Sequence, residues 1–278
     1  MARKNIFELL DSRWDIKEEL ARLNRLFDEE VAISEGPVNY TLKDFVDEYC
    51  FEDWKNRGRF IDVDDYLKTL DFESLYRHSV NDIKSFLTVI EIIYNFFYMA
   101  YEKRTTDDGL LYYPGFFNLK NNMNMCLEHY NYAAFYFEDK EQVIISEKDP
   151  AVTAAAEISA PETAFQIIQY NHHSLKGDIL AKKRILLHLA SDLEPKRSTL
   201  NGINKAFSDD IFTLLNNLNL RHNNCDPQSK DYKQYIAEMA KEALEEWYDE
   251  LYQMILLAKL ELDHLERKAK IAELKSHF

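Results

Sequence analysis

The sequence predicts a mainly α protein, an antiparallel helical bundle with a small β-hairpin insertion. Glycine and proline number only six each in 278 residues, too few punctuating residues for a many-stranded sheet. Apolar side chains recur at three- and four-residue steps over most of the chain. Only between Tyr132 and Ser146 does the pattern change, to short aromatic and β-branched runs of strand character.

The elements follow in order. Asn5 to Val31 reads as an amphipathic helix through Phe7, Leu10, Trp14, Ile16, Leu20, Leu23 and Phe27. Ser34-Glu35-Gly36-Pro37 stops it. Thr41 is the expected N-cap of a second helix, with Asp44 in the capping-box position and Leu42, Phe45, Val46, Tyr49 and Trp54 as its buried face. Gly58 ends that segment, and Val63 to Leu70 is a short helix or turn. Asp71 to Lys103 reads as the most hydrophobic helix, apolar on more than one face and hence expected in the middle of a bundle. Thr105 to Pro114 is a loop, and Asn118 to Asn131 a helix. Tyr132 to Phe137 and Gln142 to Ser146 then form the hairpin, which is marginal alone and must pack on something.

Lys148-Asp149-Pro150 marks the expected boundary between two halves. Residues 1–150 form an N-terminal helical region ending in the hairpin, and residues 151–278 a helical bundle. Pro161 opens a helix in the first-turn position. Gly177-Asp178 precedes a helix from Ile179 to Leu193, and Glu194-Pro195 breaks or kinks it. Asn204 or Ser208 caps the next. Asp231 to Leu274 reads as one almost unbroken helix with the stripe Ile236, Met239, Ala243, Trp247, Leu251, Met254, Ala258, Leu262, Leu265 and Ala269. At ~1.5 Å per residue it is longer than a compact domain needs, so its C-terminal part is a candidate for meeting a partner protein.

Composition narrows the function. The formal charge of −15 repels nucleic acid and anionic lipid at long range, so any RNA contact requires a local basic patch. Cys50, Cys126 and Cys225 have no ligand spacing, which argues against zinc or a disulfide framework and for a reducing cytoplasm. MARKNIFELLDSRW has no uninterrupted apolar run and does not read as a signal peptide. Phe86 to Ala100, broken by Glu91 and Asn95, reads as too short to span a bilayer. No phosphate loop, dinucleotide fingerprint, nucleophile elbow or HExxH is present. Glu128-His129, His172-His173 and the single Glu261-x-x-His264 are weak metal candidates, so neither metal nor cofactor is expected. A small-ligand site among the aromatics of the first half stays open.

Two stretches carry a functional lead. Lys182, Lys183 and Arg184, with Lys196 and Arg197, form the most basic local segment and read either as a solvated helix face or as a docking strip for RNA phosphates. The other is Leu214 to Asp226, LLNNLNLRHNNCD, where an apolar helical pattern runs into Arg221-His222-Asn223-Asn224, more polar side chains than a helix end needs.

This second stretch resembles the motif of the HEPN superfamily, helical bundles of which many are metal-independent ribonucleases of toxin–antitoxin and antiviral defence systems. Arg221 matches the family's Arg and His222 its polar neighbour, at the end of one helix and ahead of a long final one. The pattern departs where the family's His is expected: Asp226 stands there, and no His follows until His264. The resemblance covers about Pro161 to the C-terminus. It implies a homodimer in which Arg221 grips phosphate and stabilises charge, His222 transfers a proton, and Asn223, Asn224 and Asp226 orient groups. The alternative is that Arg221 and Asn224 tie down a helix end, and that the protein is a non-catalytic interaction or dimerisation protein.

Overall fold

The computed structural model describes residues 14–32, 38–77, 82–106 and 116–278. They are predominantly helical, with small antiparallel β pairs. The chain forms two compact units, residues 1–146 and 147–278.

In the first unit, α1 (Ile16–Phe27) starts where the Asp15 carboxylate accepts the Lys17 and Glu18 N–H groups. The helix is therefore shorter than the sequence suggests: Trp14 and Asp15 are not helical, and the cap fixes its start. Asn5 to Arg13, and the stop at Ser34–Pro37, lie outside the described residues. Val31 belongs instead to a two-residue strand β1 (Val31–Ala32), which pairs antiparallel with β2 (Asn39–Tyr40), Val31 opposite Tyr40.

Thr41 caps α2 (Leu42–Tyr49) by accepting the Asp44 N–H at 3.1 Å. Leu42, Phe45, Val46 and Trp54 are buried, but Tyr49 is 40% exposed. Its hydroxyl meets that of Tyr40 at 2.9 Å, and a phenol that needs a polar partner finds it more easily near water.

The expected helix from Asp71 to Lys103 is two helices. After α3 (Val63–Thr69), Asp71 adopts φ 52°, followed by α4 (Phe72–Arg77) and α5 (Ile83–Thr106). The Asp82 carboxylate accepts the Ser85 N–H at 2.8 Å and so starts α5 afresh. The beginning of the expected loop at Thr105 is still helical, and residues 107–115 lie outside the described residues.

By length and composition, Ile83–Glu102 of α5 is apolar enough to cross a membrane, contrary to the sequence expectation. Yet Phe86, Leu87, Ile90, Ile93, Phe96 and Phe97 are at 0% exposure inside the unit's core. Its polar residues hold the hairpin. The Glu91 carboxylate accepts the Ile145 N–H at 2.8 Å, and the Asn95 amide oxygen accepts that of Val143 at 2.9 Å.

Then α6 (Phe116–His129) leads through Asn131, at φ 61°, into β3 (Tyr132–Phe137) and β4 (Gln142–Glu147). A 3-10 turn at Glu138–Lys140 and left-handed Glu141 close the hairpin. Trp54 donates its indole N–H to the Glu141 carbonyl at 3.0 Å, tying the hairpin tip to the segment after α2.

In the second unit, Asp149 caps α7 (Pro150–Glu157), and Pro161 begins α8 (Pro161–Tyr170). Asp178 caps α9 (Ile179–Leu193). A 3-10 turn at Glu194–Lys196 leads to α10 (Arg197–Ile203), and Asn204 caps α11 (Lys205–Asn217) through the Phe207 N–H at 3.1 Å.

The expected final helix is broken at residues 238–240 into α12 (Gln234–Ala237) and α13 (Lys241–Lys275). Its buried face is also turned from the expected stripe. Of that stripe Ile236, Leu251 and Ala258 are buried, but Trp247 is 43% exposed, and Tyr248, Tyr252, Ile255 and Leu256, which lie outside it, are buried. The phenols explain the turn. Tyr248 donates to the Leu218 carbonyl at 3.1 Å and Tyr252 to that of Ile167 at 2.8 Å. Both acceptors lie at helix ends, where carbonyls lack helical partners.

Candidate functional site

The polar stretch lies where α11 ends. Leu218 closes the helix with its N–H on the Leu214 carbonyl at 2.9 Å, and Asn219 turns left-handed at φ 55°. Asparagine is among the few side chains that accept that region. The Arg221 N–H then returns to the Leu215 carbonyl at 3.2 Å.

Asn224 is completely buried, and its polar atoms are used within the loop. Its amide oxygen accepts the Asn219 N–H at 2.8 Å, and its amide nitrogen donates to the Asp231 carbonyl at 2.8 Å. Its own N–H reaches the Asn219 side chain at 3.2 Å, and its carbonyl accepts the Lys233 N–H at 2.9 Å. No substrate reaches these atoms without opening the loop.

Arg221 is partly covered, its side chain 25% exposed. The guanidinium pairs with Glu194 and lies 5.4 Å from the Phe212 ring centroid; Arg197 lies 4.2 Å from the same centroid. The arrangement joins the end of α11 to the turn after α9 through an ion pair and a cation–π contact.

His222 has a different neighbour. It is exposed, and its Nδ1 lies 3.4 Å from the Asp231 carboxylate. Asn223 donates to Asp226 at 3.3 Å, while Asp226 also accepts the Gln228 N–H at 2.8 Å, forming a local turn. Asp226 is thus engaged with its own loop, and the carboxylate beside His222 is Asp231.

The basic strip is dispersed. Lys182, expected to face RNA, is buried, with its ammonium 2.7 Å from both Glu245 and Asp249. The reason is the turn of α13, which brings two carboxylates to the inner face of α9. Lys183 donates to the Asn219 carbonyl, and burial lowers its pKa, with Cys225 acting in the opposite sense. That ammonium is a cap on the α11 terminus rather than a phosphate contact. Arg184 alone of the three is exposed.

Two of the metal candidates make contacts within their own units. His129 stacks on Trp14 at 4.2 Å, and His172 Nδ1 meets the Ser174 hydroxyl at 2.7 Å.

This chain matches no family model, no curated protein and no solved structure.

Sequence reasoning missed Glu194, Phe212, Asn219, Asp231 and Lys233. Only Asn219 had a local signal, an Asn just past the last apolar residue of a helix, where a left-handed cap belongs. The others reach the stretch through the fold.

Proposed function

We propose that the protein is a non-catalytic helical interaction protein that pairs with a second copy of itself through α13, its HEPN-like stretch serving as a structural clasp. The observation that carries this reading is the outward face of α13. Glu242, Glu246, Glu250, Gln253, Leu257, Arg267, Lys268, Ile271, Leu274 and Lys275 are all exposed. Their spacing puts them on one side of the helix.

That face is acidic at its N-terminal end, carries Leu257 near its middle, and at its C-terminal end mixes Arg267, Lys268 and Lys275 with Ile271 and Leu274. Two such helices laid antiparallel are self-complementary. With the two-fold axis between Leu257 and Leu260, Glu250 falls opposite Arg267 and Glu242 opposite Lys275. A two-fold interface requires this reciprocity, since each residue meets its complement twice. Leu257, at 49% exposure, and Ile271, at 44%, supply apolar area beside the charges. Arg267 now bonds Asp263 at 2.5 Å on the surface, a weak pair that is readily exchanged.

Light scattering tests the association. The account expects a dimer that Leu257→Glu or Ile271→Glu converts to a monomer with unchanged circular dichroism. A wild-type monomer at all concentrations contradicts it.

A second reading, a metal-independent ribonuclease, is favoured by one observation: the exposed His222, which follows Arg221 in the chain, has its Nδ1 3.4 Å from the Asp231 carboxylate. Imidazole beside a carboxylate is suited to proton transfer near neutral pH. RNA cleavage in EDTA that disappears in folded His222→Ala and Arg221→Ala variants supports that reading. Intact RNA, with Arg221→Ala lowering stability by about 1 kcal/mol, supports the clasp.

A further inference from the structure

We propose that, within the antiparallel pairing of α13 on which this contact rests, the Trp247 ring of each copy receives the Lys268 ammonium of the other. Trp247 is 43% exposed on the N-terminal half of α13. Beside it, Glu246, Asp249, Glu250 and Gln253 complete the walls of an open recess of about 500 Å³.

The ring and two of the carboxylates are free to take a cation. Among the described residues, Trp247 makes no aromatic stacking, cation–π contact or side-chain hydrogen bond, and Glu246 and Glu250 make no ion pair. The other two walls are held within the unit. Asp249 accepts the Tyr170 hydroxyl at 2.9 Å and the Lys182 ammonium at 2.7 Å, and Gln253 donates to Asp149 at 3.5 Å. A cation arriving here meets an open indole, the best of the aromatic faces for it, beside two unpaired carboxylates.

The register of the pairing selects Lys268. With the two-fold axis between Leu257 and Leu260, Trp247 is level with Lys270 of the second copy, and Lys268 is two residues, about 3 Å, away along the helix. At about 100° per residue, Trp247 lies about 80° round α13 from Leu257 and Lys268 about 20° round on the same side, whereas Lys270 lies about 140° round on the other. A two-fold axis perpendicular to the helices sets like flanks together. Lys268, and not Lys270, therefore meets the ring.

The occupant is a second copy because the complementary charge is carried by this chain. Arg267, Lys268, Lys270 and Lys275 outweigh Glu273 on the exposed C-terminal segment of α13, and Lys268 has no ion pair among the described residues. Within one copy the two groups never meet, since Trp247 and Lys268 stand about 30 Å apart along one helix. A single exposed aromatic ring carries little meaning. Here an open ring, unpaired carboxylates and an unpaired ammonium are brought together by one register, and tryptophan is enriched among residues that dominate interface energy.

Sedimentation equilibrium, with fluorine NMR of the full chain labelled with 5-fluorotryptophan, tests this contact separately from the pairing. The chain has three tryptophans, and Trp247→Phe identifies the Trp247 resonance by its loss. That resonance should move with protein concentration through the range of dimerisation. Trp247→Leu and Lys268→Gln, each with unchanged circular dichroism, should each weaken the dimer about fivefold or more. Combined, they should lose little more than either alone. A dimer of wild-type affinity in both variants, or losses that multiply, overturns the contact and leaves the pairing of α13 standing. A wild-type monomer removes the pairing and the contact with it. A monomer whose Trp247 resonance moves only on adding a Lys-rich peptide assigns the ring to another protein and likewise overturns self-recognition.

Discussion

Asn219 and Asn224 hold each other reciprocally: each side-chain oxygen accepts the other's backbone N–H, at 2.8 Å and 3.2 Å. This pair converts the end of α11 into a closed loop. It also accounts for an asparagine-rich sequence that resembles a catalytic motif while its buried member faces inward.

Asn224→Ala leaves the Asn219 N–H and the Asp231 carbonyl without their partner in a buried loop. The expected loss is about 2–4 kcal/mol, read by chemical denaturation of the second unit's transition. Asn224→Asp should not rescue it, because a carboxylate cannot donate to the Asp231 carbonyl and would be buried charged. Wild-type stability in either variant would show that the loop does not depend on this residue.

Asn219 tests the backbone rather than the side chain. At φ 55° a Cβ is strained, so Asn219→Gly should be more stable than Asn219→Ala by about 1 kcal/mol. Both lose the Asn219 side-chain bond, and the difference therefore isolates conformation. Equal midpoints would mean that the turn relaxes to another geometry.

The cluster of buried Lys182 with the partly exposed Glu245 and Asp249 gives a pH dependence. Burial pushes the Glu245 carboxyl up, but the Gly177 N–H, the Lys182 bond and charge, and Lys176 together outweigh it, leaving the pKa below its ordinary 4.5. A carboxylate depressed on folding stabilises above its unfolded pKa and loses that contribution as pH falls through its folded one. Wild type should therefore exceed Glu245→Gln by about 1–3 kcal/mol at pH 7. The gap should shrink as pH falls below 4.5. A gap that is constant with pH would assign the loss to packing.

Local signals in the sequence were legible in proportion to how local their partners are. Thr41 with Asp44, Asp178 ahead of α9, Pro161 and Asn204 each act within three or four residues, and each starts the helix expected of it. The hairpin was readable from its β-branched run. The α13 stripe caught Leu251 and Ala258 but missed Tyr248 and Tyr252, because tyrosine is both apolar and polar. Tyr248 and Tyr252 face inward for carbonyls 30 and 85 residues away, which periodicity does not reveal. The same distance effect hid the fate of Lys182, whose Asp249 partner is 67 residues on. The basic strip looked available because its neutralising carboxylates lie on another helix.

The central claim, antiparallel self-pairing of α13, is tested most directly by charge reversal in sedimentation equilibrium. Glu250→Lys alone and Arg267→Glu alone should each weaken the dimer about tenfold or more, close to 1.4 kcal/mol, by setting like charges opposite one another. The double variant restores opposite charges in both symmetry-related pairs and should regain most of the wild-type affinity. If the two substitutions add without rescue, or neither alters association, the antiparallel register is wrong.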